Sequence, residues 1–234
     1  MQLEIIPAII PENSADLHAK LARVEGLAQM VQIDVVDGVF VPQTSWPFKD
    51  GQQTEFQSIV SQEHALPFAD TFFFEVDLMI DKPEKYIEDF VFAGFKRVIV
   101  HIESTDKMDD IIHTLRDLDV EIGIAINVDT PLDVLDEYIE RVDVVQCMGI
   151  AEIGAQGQPF DMRVVEKIAH LKAAHDDILI SVDGGVSLQT APFLIGAGAE
   201  RLVSGSTIFD SADVEKTLGQ FYAIPDQLAE HYEQ

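Results

Sequence analysis

The chain is short of cysteine, of positive charge and of long apolar runs, and each shortage removes a class of explanation. One cysteine, Cys147, in 234 residues leaves no intrachain disulfide framework and no multi-cysteine metal site, which fits a reducing compartment. Only 15 Lys and Arg stand against 42 Asp and Glu, a formal charge of -27. Such a surface repels phosphate backbones and anionic lipids, so neither nucleic acid nor membrane is an expected partner. No apolar stretch reaches the roughly 18–20 residues that span a bilayer. Met1–Ile10 lacks a basic start followed by a long apolar segment, so a cytoplasmic location is expected. The turn after the first strand-like run is Pro11-Glu12-Asn13, without the glycines of a dinucleotide-binding open sheet.

What is present is a hydrophobic fraction of 47%, divided into short β-rich runs that alternate with helical patterns. Strands are expected at Glu4–Ile10, Val31–Val36, Phe72–Met79, Arg97–Ile102, Glu121–Ile126, Val142–Met148, Ile178–Val182 and Arg201–Ser204. Helices are expected between them, over Ala15–Val24, near Phe56–Ser61, from Pro83 to a stop at Gly94, and over Met108–Leu118. Another is expected to open with Thr130 as cap and Pro131 in its first turn, and further ones over Met162–Ala174 and Leu188–Gly196. Runs such as Val98-Ile99-Val100 and Ile178-Leu179-Ile180 read as strands covered on both faces. Eight such units in this length predict one α/β domain over residues 1–234, a parallel (β/α)8 TIM barrel.

In that fold the polar residues at the carboxyl ends of the strands face the site. The second strand offers Gln32 and Asp34, two apart and therefore on one face; the third offers Glu75 and Asp77 in the same way. His101 and Glu103, Asn127 and Asp183 close the fourth, fifth and seventh. A carboxylate set among branched apolar residues is costly unless it is paired, metal-bound or protonated. Asp34, Asp77 and Asp183 all stand in that position, and three converging on one mouth mark a site more than three separate helix caps. Asp183-Gly184-Gly185 and Ser204-Gly205-Ser206 follow the seventh and eighth strands, where barrels of this kind bind phosphate on backbone N–H groups. The Gly154-Ala155-Gln156-Gly157-Gln158 loop after the sixth strand is placed to close over the same group. Cys147 and the Phe72-Phe73-Phe74 run read as packing residues, and Trp46 as a residue of either the mouth or a subunit contact.

Five stretches, taken in order, resemble the ribulose-phosphate 3-epimerase family: Asp34-Val35-Val36-Asp37-Gly38-Val39-Phe40-Val41-Pro42, Leu78-Met79 with Lys82-Pro83-Glu84 and Tyr86, Val100-His101-Ile102-Glu103, Val182-Asp183-Gly184-Gly185-Val186, and Val203-Ser204-Gly205-Ser206. The resemblance implies a ribulose-phosphate-binding barrel, a small phosphorylated sugar as ligand and a homo-oligomer. It implies that Asp34 and Asp183 exchange protons at C3 of a ketopentose phosphate, D-ribulose 5-phosphate first, across a metal-stabilised enediolate. Gly154, Gly184, Gly185, Gly205 and Ser206 would take the phosphate. The family holds its metal with two histidines and two aspartates, whereas here Gln32 and Asp77 stand at the histidine positions beside Asp34 and Asp183. Ala8 replaces a serine, and Glu152 and Gln156 interrupt the loop after the sixth strand. An all-oxygen donor set favours Mg2+ or Mn2+ over Zn2+ or Fe2+, or a site left without metal. A barrel that binds a sugar phosphate without turning it over is the alternative reading.

Overall fold

A computed structural model describes residues 3–155 and 157–232. Eight parallel strands close on themselves in sequence order. They are β1 (Glu4–Ile9), β2 (Met30–Val36), β3 (Phe73–Met79), β4 (Arg97–His101), β5 (Glu121–Ile126), β6 (Val144–Met148), β7 (Leu179–Asp183) and β8 (Arg201–Ser204). Helices α1 (Ser14–Val24), α2 (Gln53–Val60), α3 (Ile87–Phe92), α4 (Met108–Asp117), α5 (Arg163–Ala174), α6 (Ala191–Ala197), α7 (Ser206–Phe209), α8 (Val214–Tyr222) and α9 (Ile224–Tyr232) complete it. Among the described residues no helix is long and apolar enough to cross a membrane.

The strand alternation divides the interior in two. Residues of one phase, such as Val31, Ile33, Val35, Val98, Val100, Ile180 and Val182, face the helices and form one continuous apolar core with Leu17, Leu21, Ile111 and Ile168. Residues of the other phase face the barrel axis. There the apolar side chains form only small clusters, Ile6 with Ala8 and Val203, and Ile99 with Ala125 and Met148. The rest of the axis is polar: Gln32, Asp34, Glu75, Asp77, Arg97, His101, Gln146, Ser181, Asp183 and Arg201 are all buried.

Local chemistry explains the element ends. Asn13 caps α1 by accepting from the Asp16 amide at 2.9 Å. Gly94, at φ 109°, takes the chain out of the turn that ends α3.

The helix expected after β5 is absent and is replaced by two 3₁₀ turns, Leu132–Leu135 and Ile139–Arg141. Tertiary partners take the groups that would have started it. The Thr130 hydroxyl donates to Glu103 at 2.6 Å instead of capping, and Lys167 Nζ draws on the carbonyls of Asn127 and Thr130.

Trp46 is fully buried, packed edge-on against Phe56, and so belongs to the core under α2, not to the mouth. Glu75 also departs from expectation. It lies at the amino-terminal end of the barrel, where its Oε2 accepts from Arg97 Nη1 at 2.8 Å and Arg201 Nη2 at 2.5 Å. Glu121 and Glu4 pair with the same two guanidiniums from further out.

Candidate active site

At the opposite end, the register of β2 and β3 sets Asp34 beside Asp77. Asp183 comes in from β7, whose partner β6 places Gln146 beside Ser181 one layer down. The carboxylate oxygens of Asp34, Asp77 and Asp183 lie within 4.8 Å of one another. Gln32 sits between two of them: its Nε2 donates to Asp34 Oδ1 at 2.8 Å and to Asp183 Oδ2 at 2.9 Å. Asp77 is braced from the other side. Its Oδ2 accepts from Gln146 Nε2 at 3.0 Å, and Gln146 Oε1 accepts from the Ser181 hydroxyl at 3.1 Å.

His101, buried beside Asp77, brings Nε2 to 3.2 Å from Asp77 Oδ1, and its Nδ1 lies 3.7 Å from Glu103 Oε2. Neither ring nitrogen reaches hydrogen-bond geometry. Glu103 Oε1 in turn accepts from the Asn127 amide and the Thr130 hydroxyl. His101 thus neighbours the aspartate cluster as a partner of Asp77.

Burial and crowding govern the protonation of this group. Burial, reinforced by the charge of Asp77, lifts Asp183 to about 7, although the Gln32 and Gly184 hydrogen bonds oppose the rise. Burial and the charges of Asp183 and Asp77 lift Asp34 well above the carboxylate range. The two titrate together, and burial with like charge holds protons on the pair more tightly than on free carboxyls. For His101, burial favours the neutral ring, but the Asp77 and Glu103 carboxylates win and raise it to about 10. For Glu103 burial pushes upward, and its contacts with His101, Thr130 and Asn127 outweigh this and bring it to about 2.

Above the aspartates lies a cleft lined by Asp34, Asp183, Ala8, Met79, Met148, Gly154, Gly184, Gly185, Gly205 and Ser206. The structure therefore brings all the glycines and the serine named from the sequence to one space with two of the aspartates. Gln32 and Asp77 do not line it; both are fully buried beside the two aspartates. Gly184 and Gly185 have φ of 93° and 66°, and a Cβ on either would press into Ile150 or Phe160, so the β7 turn keeps its backbone bare toward the cleft. Gly154 approaches Val41 and Gln43 so closely that a Cβ would lie 2.7 Å from Val41 Cγ2. The loops after β6 and β2 thus meet over the mouth. Gln156 of that loop lies outside the described residues. Asp37 braces the β2 loop by accepting from the Val39, Phe40 and Asp81 amides.

The sequence matches the profile of the ribulose-phosphate 3 epimerase family over residues 4–209. The chain belongs to the ribulose-phosphate 3-epimerase family. It is 34% identical over 225 residues to the ribulose-phosphate 3-epimerase of Bacillus subtilis, covering 93% of this chain and 97% of that one. The family member of Chlamydia pneumoniae is 33% identical over 212 residues, covering 88% and 87%. Among solved structures, a 3-keto-L-gulonate-6-phosphate decarboxylase from Vibrio cholerae superposes with a TM-score of 0.68 at 15% identity, covering 97% of this chain and 98% of that one. The 3-hexulose-6-phosphate synthase of Salmonella typhimurium gives 0.67 at 14%, covering 96% and 99%. At that identity the two structures speak for the fold.

The cluster offers donors suited to the divalent metal of the family. Three hard carboxylate donors face one point, and two oxygens of the cluster, Asp77 Oδ1 and Gln32 Oε1, have no hydrogen-bond partner. A small oxygen-preferring cation fits that donor set. Gln32 would first have to turn its amide, since Nε2 now faces Asp34 and Asp183.

Sequence reasoning missed Gln146 and Ser181. Both were detectable as polar residues of inward phase in otherwise apolar strands.

Proposed function

We propose that this family member interconverts D-ribulose 5-phosphate and D-xylulose 5-phosphate, or a closely related pair of ketose phosphates. The observation that carries this reading is the pair Asp34 and Asp183, two buried carboxylates reaching one cleft from β2 and β7 and tied to one amide. Inversion at carbon needs a base on one face and an acid on the other, each in the matching protonation state. A pair that shares a proton near neutrality supplies both. The ionised member takes the C3 proton, and the C–H electrons move toward C2 and its carbonyl oxygen, giving an enediolate. The protonated member then returns a proton to C3 from the opposite face. The pair ends with its proton on the other partner, ready for the reverse reaction.

Asp34, Asp77 and Asp183, with Gln32 turned to present Oε1, are the residues that would hold Mg2+ or Mn2+. Bound there, the cation supplies positive charge next to the developing enediolate oxygens. His101 and Gln146 keep Asp77 in place. Backbone N–H groups of Gly184, Gly185 and Gly205 with the Ser206 hydroxyl take the phosphate, and Gly154 carries the loop that covers it. On a chain of charge -27 such local donors are what an anionic substrate requires. Both neighbouring barrels carry a phosphorylated compound in their names, 3-hexulose 6-phosphate and 3-keto-L-gulonate 6-phosphate, in keeping with a phosphorylated sugar in this cleft.

The test is NMR of D-ribulose 5-phosphate in D2O, first with chelator-treated protein and then with Mg2+, Mn2+ or Zn2+ restored. Epimerisation with deuterium at C3, lost in Asp34→Asn and Asp183→Asn, is expected. No product and no deuterium under any metal would overturn the assignment and leave a sugar-phosphate binder.

A further inference from the structure

Gln32 is the one side chain among the described residues that donates a hydrogen bond to Asp34, and the one that donates to Asp183. A primary amide carries two N–H groups diverging from one nitrogen. Here both are used, one on each carboxylate, at 2.8 and 2.9 Å. The Gln32 carbonyl oxygen is buried with no partner. Nothing else among the described residues therefore dictates which way the amide faces; the two aspartates alone set it. The side chain is fully buried, rooted in mid-strand between Ala8 of β1 and Glu75 of β3. It is a rigid mount with a single job on each side.

We infer that Gln32 is the positioning residue of the acid/base pair: its carboxamide spans Asp34 and Asp183 and fixes their separation when no cation lies between them. The inference rests on the proposed proton transfer and adds to it. It assigns the amide two orientations. With N–H toward the aspartates it orders the pair; turned by half a rotation, it offers Oε1 to a cation that takes over the same task. Misplacing a reacting group by about 1 Å costs on the order of 100-fold in rate. Loss of this clamp should thus appear in turnover, with substrate affinity left nearly intact, because the phosphate and sugar contacts lie elsewhere in the cleft.

Two measurements test it. In chelator-treated protein, C3 exchange in D2O by Q32L should fall by about 10- to 100-fold in kcat, with KM changed by less than about threefold. Q32H, which returns a ring N–H at the same depth, should recover part of that loss. Wild-type exchange rates in Q32L would overturn the inference while leaving the proposed function standing. Should the chelator-treated wild type itself fail to exchange, the second measurement decides this inference on its own, and the proposed function falls only if no restored metal brings exchange back. That measurement is ¹H–¹⁵N NMR of the Gln32 side-chain amide in wild-type protein, assigned by its through-space contacts to the neighbouring strand residues Ala8 and Glu75. Both protons should exchange with solvent about 100-fold more slowly than those of exposed glutamines. One should lose protection in Asp34→Asn, and both should shift on adding Mg2+. A freely exchanging amide in the chelated wild type would overturn the inference, whether or not the Gln32 variants fold.

Discussion

Replacing Asp183 by asparagine should make the folded chain more stable, and more so at high pH than at low. Burial and Asp77 raise the Asp183 carboxyl from 3.8 to about 7. A carboxyl raised on folding contributes its stability below the unfolded value and loses it as the pH climbs through the folded one. The window is therefore about pH 4 to 7. About three units at 1.36 kcal/mol each amount to about 4 kcal/mol of strain above that window. At pH 5.5 the folded carboxyl is already protonated and the strain is about 2 kcal/mol. Asparagine never ionises, so the gain over wild type should grow by about 2 kcal/mol between pH 5.5 and 8.5. For a chain of this size that is roughly 4–8 °C in Tm. The asparagine amide also meets the Gln32 N–H, and one of the two must turn; that cost is the same at both pH values and cancels in the comparison. The assay is thermal melting by circular dichroism at pH 5.5 and 8.5, with chelator present. Adding Mg2+ at pH 8.5 should then raise the wild-type Tm and leave Asp183→Asn nearly unmoved, since a cation rewards only the ionised carboxylate. A Tm difference that does not change with pH, or a mutant less stable at pH 8.5, would refute the reasoning.

Glu75→Ala should cost about 3 kcal/mol, because it removes the buried carboxylate shared by Arg201 and Arg97 and leaves them only the half-exposed Glu4 and Glu121; urea denaturation measures it, and a loss under about 1 kcal/mol would contradict the pairing. Raising NaCl from about 0.05 to about 1 M should raise the wild-type Tm by several degrees, as the self-repulsion of a -27 chain is screened. The deficit of Glu75→Ala should persist at both salt levels, because a buried pair is screened little.

The barrel was legible because its strands and helices obey two different periods and the turn chemistry agrees with both. Asp34 and Asp77 were legible for a simpler reason: each stands two residues after another polar residue, which fixes a common face. The same rule misplaced Glu75. Period two assigns a side chain to the axis but says nothing of depth along it, and depth comes from register, which pairs Glu75 with Arg97 at the amino-terminal end. Pairing of distant strands is not written in any local pattern. The β5 helix failed similarly, since Lys167 and Glu103, which claim the groups around Thr130, lie 37 and 27 residues away. Gln146 and Ser181 escaped because a neutral polar residue in a strand costs little once it finds a partner, so it raises no alarm by itself. Trp46 could be placed only once α2 was seen to cover it.

The two ends of the barrel axis show what separates a structural carboxylate from a working one. Glu75 is as deeply buried as Asp77 and more so than Asp34, yet two guanidiniums meet one of its oxygens. Its charge is answered in place, and nothing about it asks for a ligand. Asp34 and Asp183 are answered only by the Gln32 amide and, at Asp183, the Gly184 N–H, which bring dipoles and no charge. The nearest cationic side chain, His101, is committed to Asp77 and Glu103. Three carboxylates are thus held together with one imidazolium among them, and the shortfall is carried as raised proton affinity on the pair that lines the cleft. Two buried carboxylates of raised affinity can pass from one proton state to the other in concert, one taking a proton as the other gives one, which is what the proposed inversion at a carbon between them requires. The same shortfall is what a divalent cation would relieve. Buried carboxylates stand at both ends; the site is marked by the partner that is missing.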